Sequence, residues 1–231
     1  MDLYFTQIDP PDTATQDALT AKGWTCCHLP FRRVRFRKPE WDPDLWPILL
    51  ITSKQAARWY LKQKKQKSGL LPRLAVVGEA TSSLFPAERL LCPEAPANAE
   101  QLAKRVRELV PPGAPLLFLR GAIAKTTLAH ELNSYYVFED LIVYETKRIK
   151  KKGEAPTPGS MVYFQAPSTV TDYSAHFKIQ PDYTAVIGPS TERAVQRLGW
   201  TIHFQPCRPE NRQFIEELPS AQEFSKRERH S

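Results

Sequence analysis

The chain has 231 residues, 42% of them hydrophobic and 25% charged, a composition typical of a globular protein with one large or two small domains. Its formal net charge is +7, and residues 31–67 carry most of the excess, which predicts an anionic partner: a polycarboxylate, a nucleic acid or an acidic surface. Its apolar runs fall far short of the ~18 residues of a membrane-spanning helix, and its start lacks the basic and apolar regions of a secretory signal, so we expect a cytoplasmic protein with no membrane partner.

The first elements in chain order form a β-α-β unit. Residues 3–6 and 24–29 have the composition of short strands. Residues 13–21 between them have a helical pattern, with Asp12 as the candidate N-cap. Residues 31–37 (FRRVRFR) then alternate apolar and basic side chains, which is the period of an exposed strand.

A longer alternation of strands and helices follows. Runs of aliphatic residues alternate with helical patterns, and this alternation predicts a second, parallel sheet. The strands are expected at residues 47–52, 73–77, 89–92, 115–119 and 135–139, and the helices at 54–67, 79–85, 98–109 and 124–132.

Residues 161–199 repeat the order strand, turn, helix twice. MVYF (161–164) and YTAVI (183–187) are the two strands, and each stops at a turn that contains serine and threonine. The second repeat, TAVIGPSTERAV (184–195), aligns without a gap with LAVVGEATSSL (74–84). This internal similarity predicts two related α/β lobes.

Four turns stand where a predicted strand ends and a helix begins. Open parallel sheets bind their ligands outside the carboxyl ends of the strands. Each turn combines N–H groups at a helix start with hydroxyl side chains, which makes an anion site that needs neither metal nor lysine. The simpler alternative is that the hydroxyls only cap the helices. The four turns are residues 52–55, 78–81, 165–168 and 188–191.

The sequence does not indicate a cofactor. Its four cysteines form no C-x-x-C pair, and its five histidines have no zinc-ligand spacing. Neither G-x-x-x-x-G-K-[ST] nor G-x-G-x-x-G occurs. We therefore expect reduced thiols, no metal and no bound nucleotide.

The order of several short motifs resembles the uroporphyrinogen-III synthase family, the enzymes that close the tetrapyrrole ring. Each motif alone is weakly specific, but together they run in order through most of the chain. They are ITSKQAA (51–57), AVVGEATSSL (75–84), LFLRG (117–121), VYET (143–146), YFQAPSTV (163–170) and AVIGPSTERAVQRLG (185–199).

The resemblance implies an α/β fold of two similar parallel-sheet, flavodoxin-like lobes, the second inserted into the first and joined to it by a two-stranded connector. The charged end of the chain, residues 222–231, is predicted to be a disordered tail. The implied bounds are 1–33 and 150–231 for lobe one, 38–142 for lobe two, and 31–37 and 141–149 for the connector strands.

The resemblance also implies a reaction. The family cyclises the linear tetrapyrrole hydroxymethylbilane to uroporphyrinogen III, with loss of water and inversion of ring D. This chemistry needs accurate positioning and one proton donor, and no cofactor. We expect a monomer that binds this small polycarboxylate and no nucleic acid.

The site residues implied by the resemblance lie in the turns and on the return strand. Tyr144 matches the family's tyrosine and is the expected proton donor for the leaving hydroxyl. The alternative is an aromatic residue on an exposed strand, where tyrosine is common. The expected substrate-binding residues are Thr52, Ser53, Gly78, Thr81, Ser168, Gly188, Ser190 and Thr191.

The chain departs from the family pattern in three places. Gln7 stands where the family usually has arginine, Gln165-Ala166 where it has Thr-Ser, and Glu192 where it has a small residue. The expectation for Glu192 is that its carboxylate points away from the bound substrate, toward solvent or a basic neighbour.

Two other functions are compatible with the same residues. A two-lobed binder without catalytic activity would hold a small polyanion in the same turns. A nucleic-acid-binding protein would use the basic block at 31–67, although the block contains no recognised binding module.

Overall fold

The computed structural model describes residues 1–63, 71–92, 98–124, 126–149 and 154–228. The chain divides into two compact units: unit 1 comprises Met1–Arg33 and Lys147–Ser231, and unit 2 comprises Val34–Thr146. Residue 150, where the second part of lobe one is predicted to begin, lies outside the described residues. Within the described part of the chain, no helix has the length and apolar character needed to cross a membrane.

The secondary structure alternates strands and helices through most of the chain. The strands are β1 Asp2–Phe5, β2 Thr25–His28, β3 Arg32–Phe36, β4 Ile48–Ile51, β5 Arg73–Val76, β6 Leu90–Leu91, β7 Pro115–Gly121, β8 Val137–Arg148, β9 Met161–Phe164 and β10 Tyr183–Val186. The helices are α1 Thr13–Ala21, α2 Lys54–Leu61, α3 Glu79–Ser82, α4 Ala99–Leu109, α5 Thr127–Leu132, α6 Pro167–Phe177, α7 Pro189–Gln196, α8 Asn211–Glu217 and α9 Ala221–Glu228.

The sheet of unit 1 is parallel, with the strand order β10-β9-β1-β2. A further parallel bridge joins Ala185 of β10 to Phe204, so the unit has the 2-1-3-4-5 order of flavodoxin-like sheets when its strands are numbered in chain order. The central strand β9 is buried on both faces. This explains its continuous apolar sequence, because helices cover both sides of a parallel sheet.

The sheet of unit 2 has the order β3-β8-β7-β4-β5-β6. Strands β4 to β8 are parallel. Their order, numbered in the same way, is 3-2-1-4-5, the doubly wound order of dinucleotide-binding folds. The predicted α/β class with parallel sheets is therefore confirmed, and unit 2 differs from the flavodoxin-like order.

Strands β3 and β8 form an antiparallel ribbon. Arg37 N donates to Val143 O at 2.8 Å, and Ile149 N donates to Phe31 O at 2.8 Å, so residue numbers rise along one strand as they fall along the other. Both chain crossings between the units fall inside these two strands.

A buried carboxylate in unit 1 binds both strands of the ribbon. Asp172 of α6 accepts from Arg32 Nε at 2.6 Å and from Arg148 Nε at 2.6 Å. The Asp172 side chain is 1% exposed, whereas the two arginine side chains are 33% and 56% exposed. The carboxylate is thus bonded on both oxygens by charged donors, as burial of a charge requires.

We expect Asp172→Asn to lower the free energy of unfolding by about 2 kcal/mol, because hydrogen bonds between charged groups are replaced by weaker ones in a buried position. Denaturant unfolding followed by circular dichroism measures the loss. Glu216→Gln is the matched control, since Glu216 pairs with Arg212 at 2.8 Å but is half-exposed. Equal, small effects of the two substitutions would contradict the prediction.

The predicted disordered tail is wrong for residues 222–228, which belong to helix α9. Ser220 and Glu223 form a capping box: Glu223 N donates to Ser220 Oγ at 3.3 Å, and Ser220 N donates to Glu223 Oε2 at 3.0 Å. Ala221 and Phe224 are buried against the core of unit 1. Most of the neighbouring side chains are charged, so the composition of this segment does not indicate its short apolar face. Residues 229–231 lie outside the described residues.

Candidate active site

In unit 2, the predicted site residues gather at one edge of the parallel sheet. Thr52 directly follows β4, and Gly78 comes two residues after the neighbouring strand β5. Tyr144 lies in β8 beside Gly121, the last residue of β7. Because carboxyl ends of parallel strands meet at the same edge, the structure places these residues at the edge of unit 2 where parallel sheets generally bind their ligands.

A β-bulge determines where Tyr144 lies. Arg120 pairs with Ile142, but the next residue, Gly121, pairs with Tyr144, so Val143 is an extra residue in β8. Bulges of this kind change the direction of a side chain and occur often beside active sites. Tyr144 is partly exposed, and its hydroxyl makes no hydrogen bond to any described residue.

Ser53 and Thr52 have different roles. Ser53 is the N-cap of α2: its Oγ accepts from Ala56 N at 3.2 Å and its carbonyl accepts from Ala57 N at 3.0 Å. Ser53 therefore caps the helix, and its role as a substrate ligand stays a prediction, because a hydroxyl that accepts a hydrogen bond can still donate its own proton. Thr52 is partly exposed, and its hydroxyl has no hydrogen-bond partner in the described part of the chain, so it remains a candidate ligand.

Gly78 begins helix α3 with a backbone that requires glycine. Its φ is +86°, and its carbonyl accepts from Thr81 N and Ser82 N, each at 3.0 Å. Thr81 is 6% exposed, and its hydroxyl bonds to no described residue. Gly78 thus has a conformational role, and the Thr81 hydroxyl remains available to a ligand.

In unit 1, the turns after β9 and β10 lie side by side, because these strands are hydrogen-bonded neighbours. They carry Ser168 at the start of α6, and Gly188, Ser190 and Thr191 at the start of α7. Thr191 as a whole is 1% exposed. Its hydroxyl oxygen is nevertheless absent from the set of fully buried side-chain atoms without a hydrogen-bond partner, which comprises Gln165 Oε1 and Thr184 Oγ1 among the described residues. The structure therefore brings these four predicted residues to one edge of unit 1.

These two helix starts offer fewer amides than the sequence pattern suggests. Proline occupies the first helical position of both α6 and α7 and has no N–H. Thr169 N donates to Ala166 O at 3.1 Å, and Thr191 N donates to Gly188 O at 3.0 Å. Within the described residues, the N–H groups of Ser168 and Ser190 have no such partner.

Gly188 has a packing role. Its φ of 172° is extended backbone that any residue adopts. A Cβ atom at this position would lie 2.8 Å from Cβ of Pro209, far inside normal contact distance. The need for glycine in this turn thus arises from the close approach of a distant loop.

Two of the three departures from the family pattern contact each other. Gln165 Nε2 donates to Gln7 Oε1 at 2.8 Å and to Asn211 Oδ1 at 3.1 Å. The Tyr163 hydroxyl donates to Asn211 Oδ1 at 3.1 Å, and burial raises the pKa of this phenol, which keeps it a donor. Sequence reasoning missed Asn211, because only the fold brings it to the ends of β1 and β9.

The third departure, Glu192, is turned along its own helix. Gln196 Nε2, one turn later in α7, donates to Glu192 Oε1 at 3.1 Å. This i, i+4 hydrogen bond accounts for the glutamate without a ligand.

Unit 2 also carries a basic groove beside β3, with a volume of about 520 Å³. Its guanidinium groups lie 3.6 and 3.7 Å from the Glu145 carboxylate, longer than a normal N–H···O bond. Among the described residues, no group of three or more His, Cys, Asp or Glu side chains is arranged to hold a metal ion. The groove is lined by Arg35, Phe36, Arg37, Lys38 and Glu145.

The chain is thus a two-domain α/β protein in which one parallel-sheet domain is inserted in the sequence of another. The family model of uroporphyrinogen-III synthase HemD matches residues 13–216. The chain therefore belongs to the uroporphyrinogen-III synthase family. Membership confirms the resemblance read from the motifs and makes the protein a cyclising lyase that converts hydroxymethylbilane in tetrapyrrole biosynthesis.

Solved structures of the family share the fold at low sequence identity. Uroporphyrinogen-III synthetase from Helicobacter pylori has a TM-score of 0.65 and 17% identity, over 93% of this chain and 96% of that chain. A mutant uroporphyrinogen III synthase from the extremely thermophilic bacterium Thermus thermophilus has a TM-score of 0.50 and 13% identity, over 100% of this chain and 99% of that chain. No curated protein matches the sequence significantly.

Proposed function

We propose that Tyr144 is the proton donor in the cyclisation of hydroxymethylbilane to uroporphyrinogen III. The observation that supports this role best is the placement of the phenol at the carboxyl edge of the unit 2 sheet, next to a bulge and with no hydrogen-bond partner in the described residues. A phenol without an internal partner is able to donate its proton to a substrate oxygen.

The reaction needs a proton at one atom. The hydroxyl of the terminal hydroxymethyl group leaves as water when it is protonated, and the pyrrole nitrogen stabilises the azafulvene that remains. The substituted carbon of the opposite end ring, ring D, then bonds to the azafulvene carbon, which gives a spiro intermediate. The bond from this ring D carbon to its original bridging methylene breaks, and the methylene bonds to the other, unsubstituted α-carbon of ring D, which is thereby inverted. Loss of the proton from that α-carbon balances the proton donated to the leaving hydroxyl. Tyr144 donates the proton to the leaving hydroxyl, and the other site residues hold the ends of the chain in position.

Each unit carries donors for the carboxylates of the substrate. In unit 1 we assign this role to the N–H and hydroxyl groups of Ser168 and Ser190 and to the Thr191 hydroxyl. In unit 2 we assign it to the hydroxyls of Thr52 and Thr81. This assignment rests on donors that no described residue uses. Ser53, Gly78 and Gly188 position these donors through their capping, conformational and packing roles.

We also propose that the enzyme is a cytoplasmic monomer. Its four cysteines are all free thiols, which is the usual state in a reducing compartment. Light scattering of the purified protein tests the oligomeric state, and a dimer mass would contradict the proposal.

The product isomer tests the function directly. Incubation of the purified protein with freshly prepared hydroxymethylbilane, without added metal or nucleotide, is expected to give the type III isomer. A protein-free reaction is the control, because the open chain closes by itself without inversion. If only the type I isomer forms, at the protein-free rate, the chain is not a synthase and a non-catalytic binder becomes the better description.

A further inference from the structure

We infer that Gly121 is a positioning residue for the reaction, because its lack of a side chain lets the Tyr144 ring lie directly on the end of β7. A Cβ atom at Gly121 would lie 2.7 Å from Tyr144 Cζ, 2.9 Å from its Oη and 3.0 Å from its Cε2. Carbon atoms in contact are normally about 3.5–4.0 Å apart. The inference rests on the proposed role of Tyr144.

Backbone conformation does not explain this glycine. Gly121 is not one of the residues with a positive φ, so its backbone is open to any L residue. It is buried, and the atoms nearest to the missing side chain all belong to Tyr144. The ring is therefore the feature of the structure that requires glycine at this position.

The backbone of Tyr144 cannot easily move away from Gly121. Ala122 N donates to Tyr144 O at 2.9 Å, directly after the bulge at Val143. Gly121 and Tyr144 are also paired in the sheet. A methyl group at Gly121 would therefore displace the ring rather than the strand, by about 1 Å.

A displacement of that size at the proton donor reduces turnover. Misplacing a catalytic group by about 1 Å can lower the rate by roughly 10²-fold. We expect Gly121→Ala to lower kcat roughly 10- to 100-fold and to leave KM nearly unchanged, since the carboxylate-binding donors are on other turns.

The test is a set of variants with two readouts. Turnover is measured for the wild type, Gly121→Ala, Tyr144→Phe and the double variant. Once the phenol oxygen is absent, adding Gly121→Ala should lower kcat little further, because the two changes remove the same contribution.

Thermal unfolding is the second readout. It is measured for Gly121→Ala in the wild type and in Tyr144→Ala, where the ring is absent. The drop in Tm should occur in the first background and disappear in the second.

Two results would overturn the inference: a folded Gly121→Ala protein with wild-type kcat, or an equal drop in Tm in both backgrounds. Failure of the proposed acid role gives a different pattern, because Tyr144→Phe alone would then keep full turnover.

Discussion

Tyr144→Phe is expected to lower turnover about 100-fold, the lower end of the loss expected for a general acid. The substitution removes only the hydroxyl oxygen, so the ring still packs beside Gly121 and the fold is retained. KM should change little, because the donors assigned to the substrate carboxylates are unaffected. Steady-state kinetics with hydroxymethylbilane and a circular dichroism spectrum of the variant measure both halves of the prediction.

Tyr135→Phe is the matched control for this experiment. Tyr135 is a half-exposed tyrosine of the same unit, 53% exposed, whose ring lies 5.8 Å from the Arg107 guanidinium. Its hydroxyl takes no part in the proposed site, so turnover should stay at the wild-type value. If the two folded variants have equal turnover, Tyr144 is not the proton donor and is only an aromatic residue on a strand.

The parallel strands were predictable because their patterns are local. A run such as 161–164 is apolar throughout, as both faces of a central parallel strand are covered. The start of the helix that follows was predictable only in part, because α6 begins at Pro167 after the N-cap Ala166, and Ser168 lies inside its first turn instead of capping it. The strand order of unit 2 was not predictable, because it depends on which strands pair across the fold.

The candidate site was predictable only in part. The turns place Ser168, Ser190 and Thr191 at one edge of the unit 1 sheet, as their spacing suggests. Their amides are fewer than expected, because Thr169 and Thr191 donate back within the turn. The proline at the first position of each helix is visible in the sequence, but the bonds within the turn depend on hydrogen-bond geometry, which a residue pattern does not contain.

Contacts between distant segments could not be predicted from the sequence. Gln7, Gln165 and Asn211 form one network although the outer two are 204 positions apart (211 − 7). The contact of Gly121 with Tyr144 depends on a single extra residue in β8. Nothing in the composition of either segment indicates these contacts, which arise only when the strands pair.

The end of the chain shows how composition alone can mislead. Residues 222–231 include many charged side chains, which favours disorder. The capping box of Ser220 and Glu223 and the buried pair Ala221 and Phe224 outweigh that bias. A short helix needs such packing, since its own propensity is insufficient.

We expect Phe224→Ala to lower the free energy of unfolding by about 3 kcal/mol, the lower end of the range for a buried phenylalanine, because a terminal helix can detach locally. Phe224 is 3% exposed, and its ring centroid lies 5.7 Å from that of Trp24 and 5.1 Å from that of Tyr183. Truncation would leave a cavity between these rings and remove the main apolar contact of α9.

Gln222→Ala is the control, because Gln222 is exposed on the same helix and its loss should change stability by less than about 0.5 kcal/mol. Denaturant unfolding of both variants, followed by circular dichroism, gives the comparison. The indole N–H of Trp24 donates to Pro219 O at 2.9 Å, just before α9, so detachment of the helix exposes this tryptophan as well. If Phe224→Ala is as stable as Gln222→Ala, the helix contributes nothing to unit 1, and the end of the chain behaves as the tail that its composition predicts.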